Sequence, residues 1–229
     1  MVCNIMKSSS SSSPSKIVRD LKNYLTFLKA TGSHFVGVPD SPSPELKRRR
    51  LEQLRAQVER CVKCRLAKTR THVVFGEGNP NTGMVFVGEA PGENEDLQGR
   101  PFVGAAGNLL TQFIEQMGLS RRDVFICNVI KCRPPNNRDP QPDEVAACED
   151  YLVQQLDILK PRVICTLGRY AAQTLLRTSA PISRLRGNRY LYHHIPLIPT
   201  YHPASLLYHP ANRQNVWNDL RKVLAEYNK

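Results

Sequence analysis

Four cysteines in two groups are the first residues whose type and spacing could do chemistry. Cys61 and Cys64 enclose two residues, and Cys132 and Cys148 are separated by 15. Soft anionic thiolates in that arrangement suit a tetrahedral zinc ion or a four-iron cluster. Cys3, Cys127 and Cys165 complete the seven. The last two fall inside apolar runs and read as small core residues. A cytosolic compartment keeps thiols reduced, so metal binding or core packing outranks disulfide formation.

Three other segments concentrate polar chemistry between glycines and prolines. In the first, residues 88–104, Glu89, Glu93, Glu95 and Asp96 stand among Gly88, Gly92, Gly99 and Gly104 and lead to Phe102. In the second, Asn128 precedes Lys131, Cys132, Arg133, Pro134, Pro135, Asn136, Asn137 and Arg138. The third reads Tyr201, His202, Pro203, Ala204, Ser205, Leu206, Leu207. Taken singly each is ordinary: glycines serve a tight turn, acids are solvated, Asn128 turns the chain, Phe102 packs in a core and His202 satisfies a loop. What sets them apart is that each follows an apolar run that reads as a strand.

Those runs are 84–88, 124–130, 162–167 and a last region over 190–200. Amphipathic stretches lie between and after them, at 105–117, 143–159, 170–176 and 211–227. Strand, crossover helix, strand is the grammar of a parallel sheet covered on both faces. The expected fold is therefore α/β, three-layer αβα, with a central, mainly parallel four-stranded sheet. In such sheets ligands bind beyond the carboxyl ends of the strands, which is where the three polar segments begin.

Composition narrows the partners. The 229 residues carry 32 Lys plus Arg against 20 Asp plus Glu, a formal net charge of +12. That balance points to a polyanion, either nucleic acid or an acidic membrane surface. Ten Lys/Arg and two Glu fall between Lys47 and Arg70, across a helical pattern with Leu51, Leu54 and Val58 on one face. No apolar run is long enough to span a bilayer and the N-terminus lacks a secretory pattern, so a soluble cytosolic protein is expected. A serine run at 8–13 reads as disordered, Ile17, Leu21, Leu25 and Leu28 as a short helix within 16–30, and Pro39, Pro42 and Pro44 as a linker. The expected division is an extension at 1–44 and a folded domain at 45–229. A zinc deaminase is excluded, because neither H-x-E nor P-C-x-x-C occurs. Gly76-Glu77-Gly78 precedes the first strand, so it is no dinucleotide fingerprint, and a P-loop lysine motif is absent.

In combination, the 88–104 run, the 128–138 segment, the His202-Pro203-Ala204 turn and the four spaced cysteines resemble the family 4 uracil-DNA glycosylases, the iron–sulfur type. The likeness spans residues 51–224. It implies a [4Fe-4S] cluster on Cys61, Cys64, Cys132 and Cys148, with Phe102 stacking on uracil and Asn128 bonding its pyrimidine edge. It also implies His202 near the uracil O2, Glu95 at a catalytic acidic position, and Glu89 and Asn137 lining the site. The substrate so implied is uracil-containing DNA, single- or double-stranded, met by a monomer in the cytoplasm at the nucleoid, with no membrane partner.

The chemistry suits those assignments. An extruded base costs a few kcal/mol to unstack, and an aromatic face returns about 1–3 kcal/mol. An amide accepts from uracil N3–H while donating to O4, the pattern opposite to cytosine. Cleavage of the C1′–N1 bond leaves negative charge on the base, met by His202, and positive charge on the sugar, met by Glu95. Arg133, Arg138, Arg184 and Arg186 are candidate phosphate contacts, and Leu206 or Leu207 a wedge for the emptied stack. Two departures stand out. Tyr208-His209 replaces a basic residue followed by Asn, and the loop at 183–187 lacks the histidine of a covalently trapping relative. The competing reading is a metal-clamped nucleic-acid-binding module without glycosylase chemistry.

Overall fold

The computed structural model describes residues 43–229 and, before them, residues 18, 19, 22–24 and 26, which are helical. The serine run, the apolar positions Ile17, Leu21, Leu25 and Leu28, and the linker prolines Pro39 and Pro42 lie outside the described residues. By compactness the chain divides into the units Met1–Asp40 and Ser41–Lys229.

Regular structure in the second unit begins with α1, Pro44–Glu59, with proline in the first turn and the Ser43 hydroxyl accepting from the Leu46 N–H at 3.3 Å. Both are signals that start a helix. Its apolar stripe, Leu51, Leu54 and Val58, is buried against α4, Pro142–Leu159. Lys47 is buried too, and its ammonium donates to the Leu159 carbonyl at 2.8 Å. There it caps an acceptor that the end of α4 leaves without a helical partner.

Among the described residues, six strands form one sheet in the order β1-β3-β2-β4-β6-β5. The inner four, β2 (Met84–Gly88), β3 (Phe125–Asn128), β4 (Val163–Leu167) and β6 (Ile195–Thr200), run parallel. β1 (Glu77–Gly78) and β5 (Tyr190–Tyr192) add antiparallel edges. Every residue of β2, β3 and β4 is buried, as a sheet covered on both faces requires. On one side α1, α4 and α5 (Arg169–Leu176) share a core with Val85, Val87 and Ile164. On the other, α3 (Ala105–Gln116) and α8 (Arg213–Tyr227) share one with Met84, Phe86 and Cys165. This is the three-layer αβα arrangement.

Two details differ from the sequence reading. The sheet has six strands rather than four, because β1 is only two residues long and because 190–200 is a hairpin, not one strand. His193 and His194 make its two-residue turn with φ of 45° and 70°. Such turns need left-handed backbone at both positions and ordinarily use Asn or Gly. Further short helices also emerge: α2 (Glu93–Gln98), α6 (Ile182–Leu185) and α7 (Ser205–Tyr208). None is long enough to display an apolar period.

Candidate active site

Register brings the carboxyl ends of the inner strands level. Gly88 pairs with Asn128 across β2 and β3, and Leu167 with Thr200 across β4 and β6. A cavity of about 310 Å³ opens just beyond them, lined among others by Glu89, Glu95, Phe102, Asn128, Asn137 and His202. That is the small end of the range for ligand pockets, roughly 300–1,000 Å³. The three polar segments, distant in sequence, therefore share one site.

Phe102 and Asn128 define its floor. Asn128 ends β3 and is 1% exposed, and its Oδ1 has no hydrogen-bond partner among the described residues. A buried acceptor without a partner costs about 1–3 kcal/mol, and here it borders the cavity, where a ligand N–H would satisfy it. Gly88 is what lets both side chains in: a β-carbon there would run into Asn128 Oδ1 and come within 2.6 Å of Phe102 Cζ. The sequence offered Gly88 only as a turn glycine. Beneath Asn128, buried Lys131 donates from Nζ to the Asn128 carbonyl and to Gln155 Oε1, each at 2.6 Å. Gln155 in turn donates to the Phe75 carbonyl at 2.8 Å.

Phe102 has φ of 53°, an outlier for a bulky side chain. The chain around it is tied on both sides. Glu95 Oε1 accepts from the N–H groups of Val103 and Gly104 at 2.9 and 3.0 Å. Arg121 donates to the Phe102 carbonyl at 3.1 Å and the Pro101 carbonyl at 2.7 Å. Gly107 has no side chain to obstruct the Phe102 backbone.

His202 closes the site, its ring 5.6 Å from that of Phe102 and tilted by 30°. Its Nδ1 accepts from the Ala204 N–H at 3.1 Å, so the ring proton sits on Nε2. Loss of solvation pushes the imidazole down to about 4, with the charge of Glu95 only partly opposing. The ring is thus a neutral donor at physiological pH.

The acids separate by environment. The Glu89 carboxyl accepts no hydrogen bond among the described residues, and burial, reinforced by the like charge of Asp139 and opposed by Arg169, pushes it up to about 7. Asp96 is buried and accepts from the backbone of Thr71 and His72, a structural anchor. Glu93 faces solvent and pairs with Arg133 at 3.6 Å.

The candidate DNA contacts divide as well. Arg138 makes a bidentate pair with Glu144, at 2.6 and 2.9 Å. Arg186 is held by Asp219 and the Asn215 carbonyl, each at 2.7 Å. Their guanidinium groups are committed to internal partners, so of the four arginines only exposed Arg184 lacks an acidic partner among the described residues, while Arg133 also binds Asn137 Oδ1 at 2.8 Å. Leu206 is 3% exposed and sits in the core, whereas Leu207 is 49% exposed. Leu206 therefore has no surface to offer as a wedge, and Leu207 does.

Cys61, Cys64, Cys132 and Cys148 ring one small hollow together with Arg70, Lys131 and Tyr151. Arg70 donates to Cys132 Sγ and the Lys131 N–H to Cys148 Sγ, both at 3.3 Å. Four sulfurs facing one hollow with hydrogen-bond donors behind two of them fit a group bound through thiolates. Among the described residues no three His, Cys, Asp or Glu side chains close on a point that would hold a single ion.

Comparison with known proteins agrees with this geometry. A family model described as the uracil DNA glycosylase superfamily matches residues 75–221. A type-4 uracil-DNA glycosylase of Sulfurisphaera tokodaii is 49% identical over 182 residues, covering 76% of this chain and 83% of that protein. The type-4 enzyme of Archaeoglobus fulgidus is 48% identical, covering 76% and 91%, and that of Thermotoga maritima 46%, covering 77% and 90%. The family model spans more than half of the chain, so the chain belongs to the uracil DNA glycosylase superfamily, and over 76% of its length it is similar to a type-4 enzyme.

Proposed function

We propose that the protein excises uracil from DNA by hydrolysing the bond between deoxyribose C1′ and uracil N1, leaving an abasic site. The observation that carries this reading is Asn128 Oδ1, without a partner among the described residues, bordering a cavity that Phe102 and His202 also line. That set is a planar stacking surface, an acceptor paired with a donor, and a second donor.

An extruded uracil stacks on Phe102, which offsets a few kcal/mol of unstacking by roughly 1–3 kcal/mol. Asn128 accepts from N3–H through Oδ1 and donates to O4 through Nδ2; cytosine offers an acceptor and a donor in the reverse places. As the C1′–N1 bond breaks, its electron pair leaves with the base and charge collects on O2. His202 Nε2–H donates there, a contact that strengthens only as charge develops and is worth about 2.7–4 kcal/mol in comparable sites. The sugar becomes cationic. Glu95 commits one oxygen to the loop amides, so we assign it the electrostatic support of the sugar and the holding of Phe102. Glu89, with its carboxylate unengaged, orients the attacking water and accepts its proton.

Cys61, Cys64, Cys132 and Cys148, which line one hollow, would hold the [4Fe-4S] cluster. Bound there, it supplies a structural tie and a concentration of negative charge. That tie joins the basic segment after α1 to the loop that follows Asn128. Lys131 transmits the position of that loop to the reader strand through its bond to the Asn128 carbonyl. Phosphate contacts fall to Arg133 and Arg184, and Leu207 fills the emptied stack.

The test is a uracil-containing oligonucleotide incubated with the purified protein and then treated with alkali. Strand scission at the uracil, in both single- and double-stranded forms, is expected. Intact DNA from protein with its full complement of iron would overturn the proposal in favour of a binding module.

A further inference from the structure

We infer that Arg121, anchored by Glu77, is a positioning residue that fixes the Phe102 ring as the stacking surface of the site. The inference rests on the stacking role proposed above for Phe102. Neither residue lines the cavity, and both act from behind it.

The geometry begins with strain. Phe102 adopts a left-handed backbone conformation, with φ of 53°, a strained state that persists only where the surroundings over-determine it. Arg121 supplies that constraint. One guanidinium nitrogen donates to the Phe102 carbonyl at 3.1 Å and to Thr111 Oγ1 at 3.3 Å, and the other to the Pro101 carbonyl at 2.7 Å. Two successive carbonyls are thus held by one planar group. Lysine cannot reproduce that fork, because its ammonium is a single point of charge on a flexible stem.

Glu77 holds the guanidinium in turn. Its Oε1 accepts from Arg121 at 2.7 and 3.2 Å, and its carboxylate also binds Arg100 at 2.8 and 3.3 Å. Arg100 adjoins Pro101, so the carboxylate grips the stacking loop on its N-terminal side directly and through Arg121. Glu77 is fixed by the sheet: it belongs to β1 and pairs with Ile126 of β3, the strand that ends in Asn128. The stacking surface and the base reader are therefore referenced to the same strand. The fork leaves the Phe102 side chain free to move only as the loop moves, and Glu95 on the far side stops the loop from following the base outward.

The experiment compares iron-loaded wild type, Arg121→Met, Arg121→Lys, Glu77→Gln, Phe102→Ala and the Arg121→Met/Phe102→Ala double variant. Single-turnover uracil excision gives the rate of chemistry, and binding to an abasic oligonucleotide reports the DNA surface. Arg121→Met is expected to slow excision by about 10- to 30-fold, within the worth of a base–aromatic stack, with abasic-DNA affinity unchanged. Arg121→Lys recovers only a small part, and Glu77→Gln gives an intermediate loss. In the Phe102→Ala background Arg121→Met should add less than about twofold, since two residues acting through one contact are not additive.

A full additional loss in the Phe102→Ala background would overturn the inference, as would an Arg121→Met rate equal to wild type. If Arg121→Met does not fold, the same comparison is read from Glu77→Gln with and without Phe102→Ala. The controls separate the two proposals. An inactive wild type removes the glycosylase reading itself. An active wild type with a silent Phe102→Ala removes the stacking role, and with it the role of Arg121.

Discussion

Replacing Gly88 by alanine tests the whole recognition geometry with a single methyl group. The new Cβ would lie 2.6 Å from Phe102 Cζ and 2.8 Å from Cε2, and would meet Asn128 Oδ1 as well. Carbon atoms in contact sit about 3.5–4.0 Å apart, so the ring must retreat by roughly 1 Å. The backbone cannot yield instead, because Gly88 ends a strand paired on both sides. If stacking is lost the cost is about 1–3 kcal/mol, and misplacing the Asn128 amide adds about 1–3 kcal/mol. Their combination, about 4 kcal/mol at mid-range, corresponds to a fall in single-turnover excision of roughly 10²- to 10³-fold at 1.36 kcal/mol per tenfold. Overpacking should also cost about 1–3 kcal/mol of stability, visible as a drop in melting temperature of several degrees. Excision is measured on a uracil oligonucleotide by alkaline cleavage, with circular dichroism to show the fold. A folded Gly88→Ala protein that excises within about threefold of wild type would refute the argument that Phe102 and Asn128 grip one base.

Three other outcomes follow from the same geometry. Asn128→Asp should move preference from uracil toward cytosine, because a carboxylate accepts from the cytosine amine but cannot donate to O4; unchanged selectivity in competition between the two bases would show that Asn128 is not the reader. Because burial holds the Glu89 carboxyl up at about 7, excision should rise with pH through that value as the carboxylate forms, and Glu89→Gln should lower the plateau and erase the rise. His202, pushed down to about 4, stays neutral above that pH and contributes no fall on the alkaline side. Finally, Leu206→Ala should destabilise the fold by about 2–5 kcal/mol with excision intact at low temperature, whereas Leu207→Ala should leave melting unchanged and weaken excision from duplex DNA more than from single strands.

Much of this protein is legible in its residues because burial writes itself into local pattern. The run at 84–88 is continuously apolar and that at 162–167 is apolar but for Arg162 and Thr166, as strands covered on both faces tend to be, and β2 and β4 occupy them. The amphipathic stretches at 105–117 and 143–159 become α3 and α4 for the same reason. Cysteine spacing and the motif around Phe102, Asn128 and His202 were equally visible, since chemistry restricts residue type more than conformation does. What stayed hidden depends on contacts between distant segments. The turn at His193 and His194 carries none of the usual turn residues, so the hairpin is imposed by the pairing of β5 with β6 rather than by local propensity. Arg186 and Leu206 look like surface groups in the sequence, yet Asp219 claims one and the core the other, because only packing decides which polar group finds a partner and which apolar one finds a neighbour. Gly88, Arg121 and Glu77 carry no signal of their own. Their importance comes from the register of β1, β2 and β3, a long-range relation that places a missing side chain, a guanidinium fork and a carboxylate behind one ring.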